Sequence, residues 1–240
     1  FPPSPRSGSY PVTIENVSKS YGDHTVFRNA NLTIERGDKI AFVGKNGEGK
    51  STLVKCIMKE LEHDGTLTIG HNVMIGYFAQ NQASLLDENL TVFQTIDDVA
   101  KGDIRNKIKD LLGAFMFGGE NSAKKVKVLS GGERTRLAMI KLLLEPVNLL
   151  ILDEPTNHLD NGMSEWLEEY LIKFRGAILM VTHDRYFLDR VANRIVEVDQ
   201  GKLYSYPGNY EQFVTLKEER QSMELAAQRK RKSLLRTELE

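Results

Sequence analysis

Short apolar runs separated by turn residues fill the first quarter of the chain and predict β-strands. These runs cover 12–17, 25–27, 32–35 and 39–43. Gly, Asn and Asp, which are typical of turns, stand between them. The last run, Lys39-Ile40-Ala41-Phe42-Val43, is apolar at four consecutive positions, as expected of a buried strand.

The middle of the chain changes to a helical pattern. Runs at 66–69 and 73–78 predict two more strands, but between 89 and 112 apolar residues recur every three or four positions. A glycine-rich loop at 118–122 interrupts this pattern, which resumes from Arg134 to Leu144. We therefore expect an α/β fold class into which a helical subdomain, about 85–145, is inserted.

The second half returns to strands and ends in a long charged helix. Runs 149–152 and 178–181 are wholly apolar, which favours central strands. Helical spacing predicts a helix from Met163 to Phe174 and another from about Glu211 to Glu240. At the other end of the chain, four prolines within 1–11 predict an extended linker.

Composition adds few constraints. The 240 residues are 40% hydrophobic and 27% charged, which is enough for a sizeable core. The net charge of −1 gives no overall attraction to nucleic acid or membrane, so such a partner would need a local patch. We find no signal peptide and no apolar run near 18 residues. Cys56 is the single cysteine, and we expect a buried thiol.

The run Gly44-Lys45-Asn46-Gly47-Glu48-Gly49-Lys50-Ser51, followed by Thr52, fits the phosphate-binding pattern G-x-x-x-x-G-K-[ST]. It follows a predicted buried strand and opens an apolar helix, as that pattern requires. Lys50 is expected to reach the β- and γ-phosphates, and the Ser51 hydroxyl to bind Mg²⁺. The alternative is an ordinary glycine-rich turn, which would not require this order of elements.

Two further motifs carry polar groups at helix and strand ends. Ser130-Gly131-Gly132-Glu133 fits a helix capping box, and its two glycines also expose backbone N–H groups at a positive helix end. Asp153 and Glu154 directly follow the apolar run 149–152. On a strand end they are either solvated acids or, beside a phosphate loop, a Mg²⁺ ligand and a general base for water.

Together these motifs resemble an ATP-binding-cassette (ABC) domain over nearly the whole chain. The phosphate loop, Gln80, the sequence 129–133, the strand before Asp153-Glu154, and His183 occur in that family's order. The runs 156–160 (Thr-Asn-His-Leu-Asp), 183–189 and 206–210 (Tyr-Pro-Gly-Asn-Tyr) are similar to its F subfamily, soluble paired cassettes that act on ribosomes. The resemblance implies an ABC-type P-loop NTPase core with an antiparallel β subdomain, residues 12–208, working in the cytoplasm.

The resemblance also implies site residues. Gly44 to Thr52 would bind ATP, with Tyr21 stacking on adenine. Gln80 would sense Mg²⁺ and the γ-phosphate, Asp153 would hold Mg²⁺, and Glu154 and His183 would be catalytic. Read alone, Tyr21 could simply pack in a turn, and a lone His183 at a strand end could be structural.

Ser130, Gly131, Gly132 and Glu133 would complete the site of a second cassette, intramolecular or in a homodimer, with Asp160 at the seam between the two. Residues 209–240 would begin a helical inter-domain linker. The basic run Arg229-Lys230-Arg231-Lys232 is either a solvated helix face or a contact to RNA phosphates. Ribosome and tRNA are therefore expected partners, in translation or antibiotic resistance.

Three alternatives stay open. The chain could be the nucleotide-binding subunit of a membrane transporter, or a cassette that pairs without hydrolysing ATP. It could also join two F-subfamily cassettes within 149–160, where both cassettes have nearly the same sequence, because its front resembles a second cassette preceded by a linker and its back resembles the end of a first cassette followed by one. A splice predicts imperfect packing of the 163–174 helix against the front half, and an intact middle cassette flanked by linkers on both sides would give the same sequence pattern.

Overall fold

The computed structural model describes the backbone of residues 1–157 and 159–238. Side chains are described in the same ranges except at 80 and 233–238. Two β-sheets and seven α-helices form the described part of the chain. The strands are β1 (Val12–Tyr21), β2 (His24–Ile34), β3 (Lys39–Val43), β4 (Asp64–Ile69), β5 (Ile75–Phe78), β6 (Leu149–Asp153), β7 (Ala177–Val181), β8 (Arg194–Asp199) and β9 (Lys202–Pro207). The helices are α1 (Lys50–Ile57), α2 (Val92–Asp97), α3 (Ile108–Ala114), α4 (Gly131–Leu143), α5 (Asn161–Lys173), α6 (Arg185–Val191) and α7 (Tyr210–Glu238).

The larger sheet has six strands in the order β5-β6-β7-β3-β8-β9. All its neighbours are parallel except the antiparallel pair β8 and β9. Strands β3, β6 and β7 lie inside it and have almost fully buried side chains, as their apolar runs predicted. A mixed sheet with helices between its strands confirms the α/β prediction.

The smaller sheet is antiparallel, in the order β2-β1-β4, and supplies the predicted antiparallel subdomain. The prediction of separate strands at 25–27 and 32–35 was wrong, because β2 is continuous. Its pairing with β1 shifts register around Asn29, which has a left-handed φ of 48°. This bulge breaks the alternation of apolar residues and explains why the pattern looked like two strands.

The inserted helical subdomain is less regular than predicted. Its stretch 89–112 contains α2 and α3, with a 3₁₀ segment between them at Gly102–Lys107. Further 3₁₀ turns cover Gly119–Ala123 and Val126–Val128, and they lead into α4. The subdomain buries its apolar side chains in the same core as the parallel sheet, so it is packed firmly against that sheet.

Helix α5 packs tightly on the front half of the chain. Met163, Leu167, Leu171 and Phe174 are at most 8% exposed and share one core with residues such as Phe78. The imperfect packing that a splice predicts is therefore not seen here. Cys56 is fully buried on α1, as expected, and burial raises the pKa of its thiol.

The proline-rich segment 1–11 lies extended along the cassette. Phe1 packs on Trp166 with ring centroids 5.3 Å apart, and the Ser4 hydroxyl donates to the Val147 carbonyl. The Gly8 amide donates to the carbonyl of His71. At the other end of the chain, α7 runs out from the body. None of the described helices has the length and apolar character that crossing a bilayer requires.

Candidate nucleotide-binding site

Three neighbouring strands end at one edge of the larger sheet. The order β6-β7-β3 places the ends of these parallel strands side by side, and Asp153 pairs with Val181 across β6 and β7. The phosphate loop leaves β3 at the same edge. Because ligands of open α/β sheets bind outside the carboxyl ends of strands, the predicted site residues meet where such a fold places its ligand.

The phosphate loop has the shape that the motif predicts. Gly44, Gly47 and Gly49 have φ angles of 144°, 87° and 103°, which suit residues without a Cβ. The Lys50 side chain turns back over the loop, and its Nζ donates to the carbonyls of Gly44 and Lys45 at 2.6 and 2.9 Å. Its ammonium is therefore held at the mouth of the loop, where it can meet an anion.

A cavity of about 480 Å³ lies over the loop and contains most of the predicted site. Its lining includes ten of the residues predicted to bind ATP, to hold metal or to act in catalysis. These are Tyr21, Asn46, Gly47, Gly49, Lys50, Ser51, Thr52, Asp153, Glu154 and His183. The fold thus brings together residues separated by more than a hundred positions.

The two carboxylates and the histidine form the far wall of this cavity. His183 Nε2 lies 3.6 Å from Glu154 Oε1, and the two side chains are 65% and 22% exposed. Glu154 has a left-handed φ of 49°, and its amide donates to the Val181 carbonyl at 2.7 Å. Such strain in a residue that is not glycine is held by its surroundings and is common at active sites.

Burial in the cavity shifts the pKa values of two charged groups. Burial lowers the pKa of Lys50, although the carboxylates of Glu154, Glu48 and Asp153 oppose this effect. Burial and then the Glu154 charge raise the pKa of Asp153, opposed by Lys50 and Lys55. Each group is thus desolvated, and the site favours a ligand that pairs with Lys50 and a cation that pairs with Asp153.

The residue predicted to stack on adenine, Tyr21, lies at an open side of the cavity. Tyr21 is 50% exposed at the rim of the cavity, and the Lys19 ammonium lies 5.1 Å from its ring centroid. His24 and Val26 also line the cavity and were not predicted to do so. His24 is brought there because it pairs with Tyr21 across the β1–β2 turn. That turn, Tyr21-Gly22-Asp23-His24, was the available signal in the sequence.

Some predicted ATP-binding residues lie elsewhere on the loop. Gly44 and Lys45 line a second cavity, of about 420 Å³, on the side of β8. The Glu48 carboxylate accepts a hydrogen bond from the Gln200 amide at 3.0 Å. Gln80 begins a 3₁₀ turn, Gln80–Leu85, and its side chain lies outside the described residues, as does His158.

The predicted signature residues do not line the cavity over the phosphate loop of their own chain. Ser130 caps α4: its hydroxyl accepts from the Glu133 amide at 3.2 Å, and Glu133 accepts from the Ser130 amide at 2.7 Å. Asp160 likewise caps α5 by accepting from the Met163 amide at 2.9 Å. Its other oxygen lies 3.8 Å from Arg136 on α4. The capping box is therefore present, and any second role depends on another molecule or domain.

Comparison with known proteins agrees with this geometry. The sequence model of a family described as "ABC transporter" matches residues 27–157, and a second model with the same description matches 196–240. The chain is 44% identical over 216 residues to "ABC transporter F family member 5" of Arabidopsis thaliana. It is 36% identical over 219 residues to "Energy-dependent translational throttle protein EttA" of Haemophilus influenzae. Each match covers 89% of this chain, but only 31% and 39% of the relatives' lengths.

Solved structures share the fold at low sequence identity. An ATP-binding subunit of an ABC transporter superposes with a TM-score of 0.71 at 21% identity, covering 82% of this chain and 89% of its own. A dimeric ATP-binding cassette in a post-hydrolysis state, bound to ADP and Pi, superposes with a TM-score of 0.67 at 23% identity, covering 82% and 98%. The family model, the relatives of the F family and the phosphate-loop cavity all agree. We conclude that this chain belongs to the ATP-binding-cassette (ABC) family.

Proposed function

We propose that this chain is an ATP-hydrolysing cassette that pairs with a second cassette and acts as a nucleotide-driven switch on ribosomes. The observation that carries the proposal is the single cavity in which Lys50, Asp153, Glu154 and His183 converge. A phosphate-binding lysine, a carboxylate suited to Mg²⁺ and a candidate base are the parts that phosphoryl transfer to water requires. Work on ribosomes would place the protein in the cytoplasm.

The residues of the cavity suit a magnesium–nucleotide complex. The Ser51 hydroxyl and Asp153 carboxylate are hard oxygen donors that both line the cavity. Among the described residues no three His, Cys, Asp or Glu side chains cluster as a metal site, so the remaining ligands would be phosphate oxygens, water and, by family resemblance, Gln80. Bound Mg²⁺ would neutralise charge that develops on the phosphates during transfer.

In the proposed reaction Glu154 accepts a proton from the attacking water. A bond forms between that oxygen and the γ-phosphorus, and the bond from the γ-phosphorus to the bridging oxygen breaks to release ADP. His183, 3.6 Å from Glu154, would keep the carboxylate and water aligned and donate a hydrogen bond to the γ-phosphate. Lys50 would stabilise the charge on the β- and γ-phosphates.

Dependence on a second cassette is supported by the position of the signature. Gly131 and Gly132 open α4 outside their own ATP cavity, so their N–H groups are available to phosphates held by another cassette, whereas the Ser130 N–H already donates to Glu133. The dimeric form of the solved cassette bound to ADP and Pi has the same fold. The ribosomal role is supported by the relative named as a translational throttle and by the basic run at 229–232 on α7.

Phosphate release by the purified chain, measured with ATP and Mg²⁺ over a range of protein concentrations, tests the enzymatic part. Pairing predicts that activity per molecule rises with concentration. Glu154→Gln should lower the rate by about 10²–10⁴-fold while ATP still binds, because an amide keeps the shape but cannot accept the proton. The control is Glu120→Gln, which changes an exposed carboxylate in the helical subdomain.

Sedimentation tests the biological part and separates the alternatives. In a lysate with ATP, the Glu154→Gln variant should accumulate in the ribosome pellet more than wild-type, because the ATP-bound state persists. Recovery with membranes instead would favour the transporter subunit. A chain that pairs with ATP but releases no phosphate at any concentration would support the reading in which hydrolysis has been lost.

A further inference from the structure

A buried carboxylate outside the ATP cavity joins three elements. Glu197 on β8 is only 2% exposed. It accepts a hydrogen bond from the Tyr206 hydroxyl at 3.3 Å and from Arg220 Nη2 at 3.0 Å, and it forms an ion pair with Lys217. A charge so deeply buried is strongly unfavourable unless it is paired, and here two cations from α7 pair it.

The same contacts divide α7 into two parts. In its first part, Phe213 is 5% exposed and packs on Tyr206 with ring centroids 5.1 Å apart, and the Arg220 guanidinium lies 3.6 Å from the centroid of Tyr204. From 221 to 232 every side chain is exposed. We call Tyr210 to Arg220 the root of α7, because it is held to the cassette while the rest of the helix is not.

Strand β8, which carries Glu197, also supports the phosphate loop. Glu197 pairs with Val43, the residue directly before Gly44. A Cβ added at Gly44 would lie 2.3 Å from the Val198 carbonyl oxygen, so the loop and β8 are in close contact. The cavity of about 420 Å³ between them is lined by Lys45 of the loop and Lys217 of the root. Strand β8 thus contacts both the phosphate loop and the root.

We propose that Glu197 is a positioning residue that fixes the root of α7 to the phosphate-loop strand, so that α7 and the loop move as one body. The part of the helix that points freely then begins after Arg220. The basic run starts nine residues later, about 14 Å further along an α-helix. The functional part of this proposal rests on the proposed function: if the basic run 229–232 contacts RNA, a movement of the cassette would move that run with it.

Distances between spin labels on the full chain test this directly. Nitroxides are attached to cysteines introduced at Arg175, exposed after α5, and Gln228, exposed on α7. Cys56 is buried and stays unlabelled. Wild-type should give one narrow distance distribution. Glu197→Gln keeps the side-chain volume but removes the charge that Lys217 and Arg220 neutralise, so the distribution should become at least twice as wide.

The matched control is Glu224→Gln. Its carboxylate faces the same Arg220, at 3.5 Å, but is 53% exposed, so its loss should leave the width unchanged. A second variant, Lys217→Met, removes one partly exposed cation from the root and should give intermediate broadening even if Glu197→Gln fails to fold. The proposal is overturned if the width stays at the wild-type value in Lys217→Met, or if Glu224→Gln broadens it equally.

This measurement is independent of catalysis and ribosomes. A narrow distance distribution that widens in the Glu197 variant, together with no ribosome pelleting, would reject the proposed function and keep the proposal that Glu197 fixes the root of α7. If the wild-type chain pellets with ribosomes but its distance distribution is already broad, the proposed function is kept and the proposed role of Glu197 is rejected. Thermal unfolding of each variant separates two causes of a wider distance distribution. Release of the root leaves the unfolding midpoint unchanged, whereas general loss of structure lowers it.

Discussion

At Gly44 the phosphate loop lies directly against the backbone of β8, and alanine substitution measures how closely the two are packed. In Gly44→Ala the new Cβ would lie 2.3 Å from the Val198 carbonyl oxygen, on a residue with a φ of 144°. The obstacle is backbone in the middle of a sheet and cannot swing aside. Gly47→Ala is the matched control, because its φ of 87° is also left-handed but nothing lies within 4 Å of the added Cβ.

The two variants share backbone strain and differ in the clash. Holding a residue other than glycine in such a conformation costs roughly 1–3 kcal/mol in either variant. Overpacking a well-filled site adds about 1–3 kcal/mol, which only Gly44→Ala experiences. In a chain of this size each kcal/mol lowers the unfolding midpoint by roughly 2–4 °C, so Gly44→Ala should melt about 2–12 °C below Gly47→Ala.

Thermal unfolding followed by circular dichroism, with urea titration for the free energy of unfolding, gives the comparison. Nucleotide binding should weaken in both variants, because both change the loop backbone that faces the phosphates. Equal midpoints for the two variants would show that the loop is not pressed against β8 as described, and the argument linking the loop to Glu197 would lose its support.

Three further outcomes are expected. Lys50→Ala should weaken ATP binding itself, because the ammonium held at the mouth of the loop is lost. Lys55→Ala, on the exposed side of α1, should leave the affinity unchanged. Titration with a fluorescent nucleotide compares the affinities of the two variants. Tyr21→Ala should weaken ATP binding about 5–150-fold by the same titration, the loss of roughly 1–3 kcal/mol of base stacking, and an unchanged affinity would refute the stacking role. Ser130→Ala should lower the free energy of unfolding by about 0.5–2 kcal/mol, because the helix cap is lost. When it is mixed with a Glu154→Gln partner, the rate of phosphate release should show whether the signature acts on its own cassette or on the other one.

The phosphate loop and the carboxylate pair could be predicted because each is fixed by contiguous residues. A buried strand, a loop of set spacing and a helix follow one another between 39 and 57, so local sequence specifies the geometry. Asp153 and Glu154 follow an apolar run in the same way. Their meeting with the loop follows from parallel strands whose carboxyl ends share one edge.

The features that the hydrophobic pattern did not predict depend on contacts between residues far apart in the sequence. Strands β8 and β9 were not predicted from the sequence. Glu197 interrupts the apolar residues of β8, and a charged residue in such a stretch normally indicates the solvent face of a strand. Here it is buried, because Lys217 and Arg220 arrive from a helix twenty or more residues later. His24 was missed for a different reason: the turn Gly22-Asp23 indicates a hairpin that pairs His24 with Tyr21, but His24 was not connected with the site.

The two halves of the proposed catalytic machinery are connected within one chain through Asp160. Its Oδ1 caps α5, the next helix after β6, which ends at Asp153 directly before Glu154, and its Oδ2 lies 3.8 Å from Arg136 on α4. Helix α4 starts at Gly131, directly after its cap Ser130, the first residue of the signature that would serve a second cassette. A shift of α4 on pairing would therefore act on the segment between Glu154 and Asp160. Because Glu154 already holds a strained φ of 49°, a small displacement there could change whether its carboxylate faces the water, which would make hydrolysis depend on the partner's presence as well as on its donors.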